Sequence, residues 1–452
     1  MFERPRGTRD FDHVYLAKQR HVEQSLRATA LRYGFREILT PTFETVELFK
    51  ARSGPGIVDE MFTFTDKGGR ELALRPEFTA SIMRFYLEKL RTLQKPLKLF
   101  TIGNCFRYEE PQKGRHREFW QWNCEVVGAS SLDADAEIVT LAVAGLKAVG
   151  LKQTETRIGH IGMLRNALKF EPAQQASILH FLDKRQMDGL QKELEKIGAS
   201  DLFGVLATII GLKGGPEVLD QAQNLLGEAA KESVEYLRKL GDQLAMHGVT
   251  DFVYDLGVVR GLDYYSGMVF EIDSPNLGAE RQVGGGGSYS LAEAFGGEQI
   301  PSTGFAMGID RVVLAAEQEG IEMRSPPLTA FVVPIGEQMR RKGYEVLRSL
   351  RESGLSADID LQGRGPSKNL DYANSIGVKY VVLVGERENK KGVVALRDMT
   401  TGNQVEVSFA DLVIAIVGIP KKKPATRKPL AAPKKKATAK AGRKTRPHSK
   451  KT

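Results

Sequence analysis

The stretch CFRYEEPQKGRHREFWQWNCEVVG, Cys105 to Gly128, decides how this chain is read. Two aromatic, apolar runs flank a charged loop, and arginines and glutamates sit inside the runs as well as in the loop. Runs of this kind are strands, and the loop between them closes a hairpin. At period two, Arg107 and Glu109 fall on one face of the first strand. Phe119, Gln121, Asn123 and Glu125 share one face of the second, while Trp120, Trp122, Cys124 and Val126 share the other. The second set suits a core. The first offers guanidinium, carboxylate and amide groups beside one aromatic ring, which is what a nucleotide and a small zwitterion need: arginine forks match phosphate, and Phe119 can cover a flat base. A solvated sheet face with ordinary ion pairs has the same pattern, and the hairpin alone does not choose.

Working outward, YLAKQRHVEQSLRATALRYG (15–34) has helical spacing and stops at Gly34. FREILTPTFETVELFKARSG passes through Ile38 and Leu39 into Pro41 and a short helix. EMFTFTDKGGRELALRPEFTASIMRFYLEKL reads as strand, turn, strand and helix. Beyond the hairpin, DADAEIVTLAVAGLKAVGL is a helix and QTETRIGHIGMLRNAL a strand then a helix. Residues 168–248 are amphipathic helices with few strand signals, and strand texture returns at DFVYDLGVVRGLDYYSGMVFEI. The helical stretch is therefore expected to be an insertion inside a mixed α+β domain spanning 1–325. After RSPP (324–327), the short runs TAFVVPI, LSADID, VKYVVLVGE and GVVALRD alternate with helical segments. They predict a small α/β module over 328–418 with a largely parallel sheet.

Composition sets outer limits. A chain of 452 residues is too long for one ordinary core, so two or three domains are expected. Hydrophobic content of 41% with 27% charged residues is that of a soluble globular protein, and no apolar run approaches the ~20 residues that span a bilayer. The opening MFERPRGTRDF has no apolar core of a secretory signal. Two cysteines, Cys105 and Cys124, with no CxxC pair, argue against a zinc site or a disulfide framework and fit a reducing cytosol. The net charge of +9 is unevenly placed. Of 65 lysines and arginines, 14 lie in residues 421–452, which contain no acid; the 51 left face 56 acids, a formal charge of −5. The body is mildly acidic, and 419–452 is expected to be a disordered basic tail.

Two further segments frame the hairpin. FREILTPTFE supplies an apolar strand–proline–strand segment fit for an interface or an edge. In IPSTGFAMGIDRVVLAAEQEG (300–320), small residues let a strand and a helix approach closely, and Arg311 falls in the first turn of that helix, where it can meet a phosphate end-on. Taken in order, these segments resemble the three motifs of class II aminoacyl-tRNA synthetases, with Pro41 in the first, the hairpin as the second and Arg311 in the third. VVRGLDYYSGMVFEI (258–272) and GGGGSYSLAEAFGG (284–297) narrow the resemblance to the histidyl-tRNA synthetase family, as do RPRGTRDF (4–11) and ALRPEFTASIMR (73–84). The resemblance covers most of residues 1–420.

It implies an α+β catalytic domain with a mixed, mainly antiparallel sheet, a helical insertion, and a C-terminal α/β anticodon-binding domain. It implies a cytoplasmic homodimer that activates histidine with ATP and Mg2+ and then charges tRNA(His). Matched residue by residue, Arg107, Arg260 and Arg311 would be catalytic: Arg107 at the α-phosphate and the carboxylate, Arg260 at the α-phosphate, Arg311 at the γ-phosphate, with Arg107 and Arg260 also counted among the histidine-binding residues. Glu109, Arg115 and Phe119 would place the rest of ATP. Glu125 and Tyr265 would read the two imidazole nitrogens, Glu77, Thr79 and Gln121 would take the α-ammonium group, and Tyr264 and Tyr289 would line the pocket. No protein side chain is assigned to a metal. A site that reads polar groups rejects analogues by ~10⁴–10⁵, so no editing domain is required.

The chain departs from the family pattern at Gly286-Gly287-Ser288-Tyr289-Ser290, where many members have Gly-Gly-Arg-Tyr-Asp, and at Glu110, where bacterial members often carry a basic residue. The rival readings are a catalytically inactive, synthetase-like regulatory subunit of histidine biosynthesis, a class II synthetase for another amino acid, and a non-enzymatic RNA-binding protein. The first generally lacks the anticodon module and parts of the ATP site, the second leaves RGLDYY and Glu125 unexplained, and the third sits badly with an acidic body.

Overall fold

A computed structural model describes residues 2–51, 58–110, 114–259, 265–278, 281–324 and 327–418. The basic tail therefore lies outside the described residues, as do Arg260 and Tyr264. Contacts group the chain into two units, Met1–Ser325 and Pro326–Thr452.

In the first unit the described strands are β1 (Arg36–Glu37), β2 (Phe43–Thr45), β3 (Thr63–Thr65), β4 (Glu71–Leu74), β5 (Leu97–Phe106), β6 (Glu118–Val127), β7 (Glu155–His160), β8 (Lys213–Gly214), β9 (Phe252–Asp255), β10 (Tyr265–Asp273), β11 (Gln282–Tyr289) and β12 (Ser302–Gly308). Nine make one sheet in the order β1-β5-β6-β12-β11-β10-β7-β9-β8, and β2-β4-β3 make a small second sheet. Only β1/β5 and β7/β9 are parallel; the other pairings of the large sheet are antiparallel.

Helices His13–Arg32 and Leu132–Val149 have clear sequence reasons for their ends. Asp12 accepts the N–H of Tyr15 at 2.7 Å and Ser131 that of Ala134 at 3.2 Å, each satisfying an orphan donor of a first turn. Gly34 and Gly150, at φ 79° and 107°, follow their last turns. Val22, Leu26 and Ala30 of the first helix and Ile138, Leu141 and Leu146 of the second share a fully buried cluster with Trp122, Cys124 and Val126 of β6. The aromatic face of the hairpin is thus the floor of the main core. The opposite face is left free for chemistry.

Arg107 and Glu109 differ from the expected strand placement, because β5 ends at Phe106. One more rung forms, Arg107 N–H to Arg117 O at 2.9 Å, and then Tyr108 N–H turns to Glu60 O at 2.7 Å. The strand is released because a second segment captures its backbone. Between β7 and β9 lie helices Ile161–Ala167, Pro172–Asp183, Met187–Lys196, Leu202–Ile209, Glu217–Leu226 and Glu228–Met246. One strand occurs among them, β8, which returns to the sheet edge beside Tyr254 and Asp255.

The second unit has a five-stranded sheet of β13 (Ala330–Pro334), β14 (Ala357–Ile359), β15 (Tyr380–Val384), β16 (Val393–Asp398) and β17 (Gln404–Ser408), ordered β14-β13-β15-β16-β17. Here the expectation of a largely parallel sheet is corrected. β13 runs parallel to β14 and β15, but β15/β16 and β16/β17 are antiparallel. For β16/β17 the cause is local: Asp398 accepts the N–H groups of Thr400 and Thr401, and Gly402 sits at φ 74°, so the chain reverses in a tight turn; β15 and β16 are joined through the short helix Glu386–Lys390.

Candidate active site

The polar face of β6 opens into a cavity of about 210 Å³ walled by β10, β11, β12, the base of the hairpin loop and the starts of helices Thr79–Phe85 and Ile309–Gln318. Its most buried polar side chain is Glu125, 1% exposed. Thr79 Oγ1 donates to Glu125 Oε1 at 2.8 Å and Tyr289 OH donates to Oε2 at 2.7 Å, while Asn123 Nδ2 lies 3.4 Å from Oε1. Both oxygens are held by hydroxyls from other elements, so the carboxyl has one orientation. Burial pushes its pKa up to about 7, against those hydrogen bonds and with help from Glu77. The neighbouring strand makes room: a Cβ at Gly304, which pairs with Glu125 across β6/β12, would fall 1.7 Å from Glu125 Oε2.

Tyr265 and Tyr289 pair across β10/β11 and meet edge to face, 6.4 Å between ring centroids. Both are buried and line the cavity. Glu77 is committed in part to the backbone, accepting the N–H groups of Thr79 and Ala80, the latter at 2.9 Å; burial still raises its pKa. Gln121 lines the cavity and accepts the Cys105 thiol at 3.5 Å.

The cationic wall is built from the loop and from the helix that follows β12. Arg107 donates to Pro76 O at 3.0 Å, stands 5.3 Å from the Phe119 ring centroid and pairs with Glu109 at 3.7 Å. Arg115 reaches the other oxygen of Glu109 at 3.5 Å. Arg311 lines the same cavity from the first turn of its helix. So the cavity gathers Glu77, Thr79, Arg107, Glu109, Arg115, Phe119, Gln121, Glu125, Tyr265, Tyr289 and Arg311 from segments spread over more than half the chain. Among the described residues, no group of three or more metal-ligating side chains occurs.

The sequence reading missed Asp310, 4% exposed at the cavity wall. Its Oδ2 accepts the main-chain N–H of Trp120 at 2.9 Å, and its Oδ1 takes Tyr15 OH at 3.0 Å and the Arg9 guanidinium. Arg9 lies 4.7 Å and 4.8 Å from the ring centroids of Phe11 and Tyr15, and Phe11 meets Trp120 edge-on. The N-terminal segment thus straps the hairpin to the helix of Arg311. The acid beside an arginine gave no signal of this beyond the family-like RPRGTRDF.

The glycine run is neither a flexible turn nor mainly a ligand surface. Gly284–Gly287 form half of β11, and only Gly284 of them lines the cavity. A Cβ on Gly286 would lie 1.9 Å from Gly304 O, and on Gly287 2.2 Å from Met268 O. Ser288, which departs from the family pattern, points away from the cavity to Asp135.

A family model described as histidyl-tRNA synthetase matches residues 7–312, and one described as an anticodon binding domain matches residues 329–418. The histidine–tRNA ligase of Archaeoglobus fulgidus is 42% identical over 91% of this chain and 98% of its own length. That of Methanosarcina acetivorans is 43% identical over 92% and 98%. The crystal structure of histidyl-tRNA synthetase from Nostoc sp. PCC 7120 superposes with a TM-score of 0.77 at 25% identity, covering 92% of this chain and 99% of that one. On these matches the chain belongs to the histidyl-tRNA synthetase family, the ATP-dependent histidine–tRNA ligases.

Proposed function

We propose that the cavity binds histidine at Glu125 and ATP at the arginine wall, and that the chain runs both steps of histidine–tRNA ligation there. An imidazole offers one donor and one acceptor at fixed positions. Glu125, oriented by Thr79 and Tyr289, would accept the ring N–H, and the Tyr265 hydroxyl would serve the other nitrogen. Glu77, Thr79 and Gln121 would take the α-ammonium group, with Tyr264 and Tyr289 closing the pocket. The supporting observation is the buried, doubly held Glu125 in a cavity whose wall carries Arg107, Arg115 and Arg311.

In the first step a histidine carboxylate oxygen attacks the α-phosphorus, the bond from that phosphorus to the bridging oxygen breaks, and pyrophosphate leaves with the bond's electrons. Both reactants are anionic, so catalysis is alignment plus charge neutralisation. Arg107 and Arg260 would act on the α-phosphate and Arg311 on the γ-phosphate, with Glu109, Arg115 and Phe119 seating the rest of the nucleotide. Mg2+ enters as the counter-ion of the phosphates, part of the substrate. In the second step a ribose hydroxyl of the tRNA 3′-terminal adenosine attacks the histidyl carbonyl; AMP departs and the hydroxyl proton is released. The unit at 328–418 would read the anticodon of tRNA(His).

The first motif supports a homodimer. Leu39 and Phe43 are 75% and 50% exposed, and Phe43 meets the partly exposed Phe64 ring 6.0 Å away, an apolar patch that a second copy would cover. A cytoplasmic setting is proposed from the two free, buried cysteines and from the family; among the described residues no helix is long and apolar enough to cross a membrane. The regulatory-subunit reading is the weaker one, since both Arg107 and Arg311 line the cavity. Amino-acid-dependent ATP–pyrophosphate exchange, run with each of the twenty amino acids, tests the proposal: exchange with histidine alone is expected, and exchange with another amino acid or with none overturns it.

A further inference from the structure

Behind the strand that carries Tyr289 lies a polar cluster that the reaction does not use. Asp135, 1% exposed, sits in the first turn of helix Leu132–Val149. Its Oδ2 accepts the hydroxyls of Ser288 and Tyr236, each at 2.6 Å. Ser288 belongs to β11, and Tyr236 to helix Glu228–Met246, the last helix of the segment between β7 and β9. The His160 ring, at the end of β7, meets the Tyr236 ring edge to face at 5.4 Å. Three separate parts of the chain thus converge on one carboxyl.

Keeping a carboxyl here is costly. Among the described residues no lysine or arginine pairs with Asp135, and burial raises its pKa while the hydroxyls only oppose that shift. An apolar side chain would pack the spot at less expense, so packing alone does not account for an acid. What the acid adds is direction: it fixes Ser288, and alternation along β11 puts Tyr289 on the opposite face, where its hydroxyl donates to Glu125 at 2.7 Å.

We infer that Tyr236, Asp135 and Ser288 form a strut that positions Tyr289, and through it Glu125, so that histidine binding depends on how the helical segment is seated. This inference rests on the reading of Glu125 as the group that recognises imidazole. The three strut residues are positioning residues; none lines the cavity. Their effect falls on histidine and not on ATP, whose proposed contacts come from the hairpin loop and from helix Ile309–Gln318.

The test is ATP–pyrophosphate exchange on the full chain. Tyr236→Phe and Ser288→Ala each remove one oxygen, and a thermal midpoint confirms that each variant folds. Each should raise KM for histidine about threefold to tenfold, the scale of one hydrogen bond, with KM for ATP nearly unchanged. In a Tyr289→Phe background, Tyr236→Phe should add nothing, because the strut acts through Tyr289. An unchanged histidine KM, an equal loss for histidine and ATP, or full additivity with Tyr289→Phe overturns the strut. Glu125→Gln separates the two ideas. If it abolishes histidine dependence while Tyr236→Phe does nothing, the strut alone fails; if it leaves the histidine KM unchanged, the imidazole reading fails and the strut falls with it.

Discussion

Asp310 holds the main-chain N–H of Trp120 at 2.9 Å, which ties the helix of Arg311 to the strand of Phe119. The same carboxylate anchors Arg9 and Tyr15. Asp310→Ala would free the helix from the hairpin and leave the Arg9 charge, in a largely buried site, without its acid. The expected result is a loss of about tenfold to a hundredfold in kcat/KM for ATP, the range for a broken charge-assisted bond. Exchange kinetics with ATP varied at saturating histidine measure it, and Arg9→Ala should follow in the same direction. An effect confined to the histidine KM would count against this role.

Glu125 gives a pH prediction. Its pKa of about 7 means the carboxylate proposed to accept an imidazole N–H is populated above that pH and lost below it. kcat/KM for histidine should therefore rise through about pH 7, in addition to the step near 6.5 from free histidine itself. Glu125→Gln should lose about a hundredfold in histidine affinity and show only the histidine step. Stability moves the other way. A folded pKa above the unfolded value of 4.5 makes the ionised group a cost, present above pH 7 and gone below about 4.5. Thermal melts should find Glu125→Gln more stable than the parent at pH 8, with the advantage vanishing near pH 4.5.

Gly304→Ala should be the most damaging small change in the pocket. Its methyl would overlap Glu125 Oε2 and lie 2.7 Å from Cys124 O, so either the carboxyl or the strand must move. Loss of histidine-dependent exchange is expected together with a lowered melting temperature; normal histidine KM would show that the strand yields instead.

Phe43→Asp places a charge in the apolar patch beside Phe64. Sedimentation velocity at micromolar protein should shift from dimer to monomer. A parent that is already monomeric would remove the dimer from the proposal.

Deleting 421–452, which holds 14 basic residues, should raise the apparent KM for tRNA and flatten its salt dependence. Aminoacylation at several salt concentrations reads both, and identical curves would leave the tail without a role in tRNA binding.

Much of the site was legible because strand alternation is a strict rule. It separated Gln121, Asn123 and Glu125 from Trp122, Cys124 and Val126, and the structure sends the first three toward the cavity side of the sheet and the others to the core. Trp120, expected with the core set, is only partly buried and lines the cavity near the strand's start. Asp310 was not legible from spacing, because an acid in the first turn of a helix already has a local reason to be there; its partner Arg9 is 301 residues away. The strand Gln404–Ser408 escaped notice for a related reason: QVEVS is polar and exposed along most of an edge, so hydrophobic periodicity is weak. Ser288, where the chain departs from the family pattern, makes its contact on the reverse face, which no sequence pattern announced.

The glycine strand has a consequence for heredity. Every single-nucleotide missense change of a glycine codon installs a Cβ. At Gly286 and Gly287 that atom would fall 1.9 Å and 2.2 Å from carbonyl oxygens of neighbouring strands, which are backbone and cannot rotate aside. The nature of the new side chain then matters little, since alanine fails for the same reason as valine or aspartate. These two codons should tolerate almost no amino-acid change, and the cause is the spacing between strands rather than any contact with substrate.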